Sequence, residues 1–167
     1  MDKLVEKLSS YNIFNYLLPG VLFAALGNRL TSYPLLFDNI FIGIFVYYFY
    51  GLIISRIGSL ILEPLFKWLR TVKFSPLSDF VEASKIDQKI ELLSETNNMY
   101  RTMSSLFFCL LLMRLYESFE KSHPNISGIS LEFSIFMLMV LFVLSYRKQT
   151  AYIRSRIIQA NKGKQEN

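Results

Sequence analysis

The chain has one cysteine, one histidine and one tryptophan in 167 residues. A lone cysteine excludes a disulfide framework. With His123 as the sole histidine and Cys109 as the sole thiol, the usual zinc sites are excluded as well. Charge is also scarce: 19% of the residues are charged, whereas a soluble domain carries about 25%. The seven glycines form no phosphate-loop pattern. A catalytic histidine needs an orienting partner, and His123 has none in reach, so it reads as a solvated loop residue. Cys109 lies among leucines, where an apolar setting blunts a thiol, so it reads as a packing residue. No catalytic, cofactor-binding or metal-binding residue is expected, nor is an enzyme or direct nucleic-acid binding.

What the chain has in quantity is apolar surface. Hydrophobic residues make up 52% and the mean hydropathy is +0.32, which excludes disorder for the bulk of the chain. A bilayer core takes about 20 apolar residues in a helix. Uncharged runs of 21 residues between Lys7 and Arg29 and of 17 between Asp38 and Arg56 approach that length. Runs of 12 between Arg101 and Arg114 and of 14 between Glu132 and Arg147 are shorter. They become spans if the flanking charges snorkel to the interfaces. The first run is interrupted by Asn12, Asn15 and Pro19-Gly20. As a signal peptide it is weak, because Asp2 and Glu6 dilute its basic start and Ala24 to Gly27 is a poor cleavage site. A retained span is the expectation.

Charge fixes the orientation. With four spans, 15 of the 18 basic residues fall on one side, leaving Arg29, Arg114 and Lys121 on the other. The positive-inside rule then puts both termini and the middle segment in the cytoplasm. The expected fold is all-α: a polytopic protein of a bacterial inner membrane with four transmembrane helices and a helical cytoplasmic hairpin between spans 2 and 3. Residues 1–55 hold a short interfacial helix over 1–10 and spans 1 and 2. Residues 56–98 are the cytoplasmic segment, 99–146 are spans 3 and 4, and 147–167 are a basic tail, polar and frayed from Asn161. Asn125-Ile126-Ser127 matches a glycosylation pattern without meaning in a bacterium.

The cytoplasmic segment opens with an apolar stripe, Ile57, Leu60, Ile61, Leu65, Phe66 and Leu69, bent at Pro64. Ser78-Asp79 is expected to cap the next helix. There Phe80, Ala83, Ile86, Ile90 and Leu93 form a second stripe running toward span 3. About 40 residues cannot build a core alone, so this stripe needs a cover from the same chain, a second copy or a partner. Asp87, Glu91 and Glu95 form an i, i+4, i+8 row interleaved with Lys85 and Lys89. The row reads as a solvated face; Lys85, Lys89, Glu91 and Glu95 are also the candidates for docking a cytosolic protein.

A few polar residues are candidates for a pore or an interface. Arg101 either anchors the end of span 3 or lies at a pore mouth. Arg114 either snorkels outward with Glu117, three residues on, or lines water or a subunit contact. Asn12 and Asn15 either bond between helices or line a water path. Gly51, Ser55 and Ser59 recur every four residues, a small-residue face that packs helices within one chain or between chains.

The segments Asn12 to Gly20, Ile54 to Gly58 and Ser94 to Arg101, set in this four-span layout, resemble small bacterial membrane proteins. Among these are membrane components of antiphage defence systems, such as the membrane subunit of Kiwa and accessory membrane proteins of RNA-targeting CRISPR loci. The resemblance lies in the layout of the whole chain and carries over no functional residue. It implies a role in antiphage defence and nothing finer. The chain's own layout leads to the expectation of a homo-oligomeric membrane effector or sensor, in contact with lipid, that perturbs the bilayer or forms a pore when a cytosolic protein partner engages it. The alternatives are a passive membrane anchor or a small transporter; for the latter, no inverted repeat is visible.

Overall fold

The structure is a computed structural model and describes residues 11–123 and 130–165. The expected interfacial helix over 1–10 and the Asn125-Ile126-Ser127 pattern lie outside these residues. Among the described residues the chain is all-helical, with five helices and no strand. They are α1 (Ile13–Leu30), α2 (Ile40–Trp68), α3 (Leu77–Ile86), α4 (Lys89–Ser122) and α5 (Ser130–Gln165). Two of them, α1 and α2, are long and apolar enough to cross a membrane. At 34 and 36 residues, α4 and α5 are longer, about 50 Å each at 1.5 Å per residue. Their uncharged stretches are the shorter ones.

Each of the first two helices contains a π turn, Ile13–Leu17 in α1 and Gly58–Leu62 in α2. In both cases a proline follows two residues later, Pro19 and Pro64. Proline has no N–H to donate, and its ring collides with the carbonyl four residues back. A widened i→i+5 turn just ahead of the proline relieves that collision and keeps the helix going. The bend expected at Pro64 is therefore preceded by a π turn inside one continuous helix.

Small residues let the helices approach closely. Gly20 of α1 faces the Tyr47 carbonyl of α2, and Gly51 of α2 faces the Tyr16 carbonyl of α1; a Cβ built on either glycine would lie 1.7 Å from that oxygen. One turn further along α2, Ser55 accepts from Thr102 of α4 at 3.4 Å, and Ser105 donates to the Ile54 carbonyl at 2.7 Å. Thr102 and Ser105 are fully buried. Ile54, Leu106 and Leu110 form the core, with Phe23, Leu26, Met103, Cys109 and Met113 packed around it. Helix α5 is held more lightly, by Phe142 stacked on Phe49 at 6.0 Å and by Lys148.

The segment between α2 and α4 departs from expectation in three ways. Helix α3 starts at Leu77 with Pro76 as its cap residue, so Ser78 lies inside the first turn and bonds Asp79 instead of capping. The row Asp87, Glu91, Glu95 is not on one helix. Asp87 has left α3 in an extended conformation, and its carboxylate accepts from the Lys89 N–H at 2.9 Å, so it starts α4. The apolar stripe is covered only in part: Phe80 and Ile90 are half-buried, whereas Ile86 is 84% exposed and Leu93 66%. The helical tail also runs on past Asn161 to Gln165, where fraying was expected.

Candidate functional site

The π turn of α2 positions the main polar cluster. Lys148 of α5 donates to the Ser59 carbonyl at 2.6 Å and to the Ser59 hydroxyl at 2.8 Å. One turn on, Glu63 receives Arg101 of α4 at 2.7 Å, Lys67 at 2.9 Å and Lys148 at 3.5 Å. One carboxylate thus ties three helices together. Arg56, one turn before Ser59, donates to the Tyr16 hydroxyl of α1 at 3.2 Å. Burial pulls the Lys148 ammonium below its ordinary pKa, and Glu63 opposes the shift. Two buried side-chain atoms have no partner among the described residues: Nε of Arg101, in this cluster, and Oδ1 of Asn15, next to Tyr16 in the chain. Asn15 itself is 3% exposed, and its amide donates to the Tyr11 carbonyl at 3.2 Å.

A second cluster closes the other end of the bundle. Glu117 of α4 is buried and accepts from the Ser32 N–H at 3.0 Å and the Ser32 hydroxyl at 2.6 Å. Arg114 and Lys121 each reach it at 2.7 Å. Lys121 first, then the Ser32 hydroxyl, hold its carboxyl down to about 2. Tyr33 donates to Glu120, and burial followed by that bond raises the Tyr33 hydroxyl above its ordinary value. The 31–39 turn is thereby tied to α4, while the Asn39 side chain caps α2 by accepting from Phe41 and Ile42.

Several of the sequence candidates converge and others do not. Ser59 and Arg101 belong to the Glu63 cluster, with Asn15 and Ser55 close in sequence to its Tyr16 and Arg56 members. Gly51 packs on α1 of the same chain. Asn12 is half-buried at the start of the first π turn and accepts no cap hydrogen bond. Arg114 and Glu117 pair at the opposite end. Lys85 lies in the last turn of α3 and Lys89 begins α4, both exposed, so the four docking candidates are split over two helices. Glu91 is exposed and Glu95 half-buried.

Glu63 and Lys148 were missed. A signal for Glu63 existed: it is the sole carboxylate between Asp38 and Asp79, in a stretch holding Arg56, Lys67, Arg70 and Lys73. Lys148 gave none, being one of a run of basic residues.

No protein-family model matches the chain, and no curated protein or solved structure gives a significant match.

Proposed function

We propose that the chain is a four-span protein of a bacterial inner membrane that works as an oligomeric effector or sensor under the control of a cytosolic protein. The carrying observation is the pair of charged layers. Between them, residues 102–113 of α4 and 39–55 of α2 are uncharged, as are 11–28 of the first span and 133–146 of α5. Along α4, Arg101 and Glu117 are 16 residues apart, about 24 Å. This is somewhat less than the roughly 30 Å hydrocarbon core, a mismatch that thinning and snorkelling absorb. Within the uncharged belt, Ile40, Phe41 and Phe45 are 70%, 74% and 77% exposed. A water-facing surface of that kind is strongly disfavoured, and lipid or a second copy suits it.

The charge-rich end is then cytoplasmic. Ile86 and Leu93 stand open there, beyond the belt, and are the surface we assign to the partner or a neighbouring subunit. The antiphage-defence setting is proposed from the resemblance in layout alone. Expression of the full chain in a bacterial inner membrane, with dye and ion leakage read before and after adding the surrounding genes, tests this. Leakage that follows partner engagement supports an effector. An intact membrane, with a cytosolic protein captured through residues 56–98, indicates a passive anchor instead.

A further inference from the structure

Where the end of α2, the 69–76 turn, α3, α4 and α5 meet, they line an open cavity of about 690 Å³. That volume is in the range of small-molecule sites. Its lining separates by chemistry. Lys67 and Lys73 supply two ammonium groups, and no carboxylate lines it among the described residues. Ser94, Asn97 and Tyr152 add polar hydrogens, and Phe80 and Ile90 form an apolar wall. Lys67 is held in place by Glu63 at 2.9 Å and lies 4.3 Å over the Phe74 ring. Lys73 makes no ion pair among the described residues. Two ammonium groups, neutral donors and an apolar wall match an anionic head on a hydrophobic body.

We infer that this cavity binds a phosphate ester, either the headgroup of an anionic lipid or a free organic phosphate. The inference builds on the membrane reading, because Lys67 and Asn97 each lie four residues, about 6 Å along their helices, beyond Glu63 and Arg101 of the charged layer which that reading places at the cytoplasmic surface. The phosphate is placed between Lys73 and Lys67, with the Ser94 hydroxyl and Asn97 amide donating to its oxygens. Phe80 and Ile90 receive the glycerol and first methylenes.

The chain carries its own reporter. Trp68, its one tryptophan, follows Lys67 and is 76% exposed. The full chain is placed in phosphatidylcholine vesicles, and Trp68 emission is quenched with brominated-chain phosphatidylglycerol or brominated-chain phosphatidylcholine. We expect the anionic lipid to quench at an about five-fold lower mole fraction, the preference that one interfacial lysine confers. Lys73→Gln should bring the preference to one. Ser94→Phe, which fills the cavity and keeps both charges, should do the same. Relief of quenching by glycerol 3-phosphate in the water phase identifies a free phosphate as the occupant; a preference without relief identifies the lipid. Equal quenching by both lipids, without relief, overturns the site while leaving the membrane reading intact. So does a preference that survives both variants. No quenching by either lipid overturns the membrane reading and the site together.

Discussion

Gly51 of α2 lies directly against the main-chain carbonyl of Tyr16 of α1, so that no side chain fits between the two helices. With Gly20 set in the same way against Tyr47, the two crossing helices each bring a glycine to the other's backbone. The small-residue face of α2 is therefore used within the chain, one residue per neighbour: Gly51 on α1, Ser55 on α4 and Ser59 on α5.

At an exposed helix position, Gly→Ala gains about 1 kcal/mol. At Gly51 and Gly20 the sign should reverse. The built Cβ meets backbone, which cannot move aside, and overpacking costs about 1–3 kcal/mol. Gly51→Ala should lower the melting temperature in mild detergent and reduce the amount of protein in the membrane. A higher melting temperature would show that α1 and α2 do not cross here.

Glu63→Gln should loosen α4 and α5 from α2 together. Glu63 is the shared acceptor of Arg101, Lys67 and Lys148, and its side chain is 13% exposed. Loss of a hydrogen bond to a charged group costs roughly 1.5–3 kcal/mol. A double-mutant cycle with Lys148→Met should show coupling, and crosslinking between α5 and α2 should weaken in both single variants. Additive effects would mean that Lys148 is held by Ser59 alone.

The opposite end should be acid-sensitive. The carboxyl of Glu117 titrates at about 2 instead of 4.5, because Lys121 and then Ser32 favour its ionised form. A depressed carboxylate pKa stabilises the fold fully above the ordinary value. That contribution fades as pH falls from about 4.5 toward 2. Wild type should therefore exceed Glu117→Gln in stability at neutral pH, with the difference closing over this window. A gap that persists unchanged at pH 2 would assign the effect to packing instead of charge.

Arg70→Gly should stabilise the protein. Arg70 has φ of 57°, with its N–H on the Lys67 carbonyl and the Thr71 N–H on the Phe66 carbonyl, which is the Schellman ending of α2. A side chain in that left-handed conformation costs about 1 kcal/mol, which glycine avoids. Chemical or thermal unfolding of the two forms decides it; a less stable Arg70→Gly would show that the Arg70 side chain contributes a contact worth more than the strain.

The helical class, the uncharged runs and the lopsided distribution of basic residues could all be read along the chain, because hydropathy and helical period are properties of neighbouring residues. The Arg114 and Glu117 side chains could be placed on one face for the same reason, being three residues apart. What only the tertiary structure decided is which faces meet. Ser59 and Glu63 became the anchor of α5 because the π turn before Pro64 presents them to Lys148, 85 residues away from Glu63. Nothing in the sequence around Lys148 distinguishes it from the other cations of the tail. The break at Asp87 was hidden as well, because the i, i+4, i+8 pattern of acids runs across it unaltered. It becomes visible only when the Asp87 carboxylate takes the Lys89 N–H and starts a new helix. Gly51 announced a close approach, but its partner was set by the crossing with Tyr16, a contact that depends on the path of both helices and not on either sequence alone.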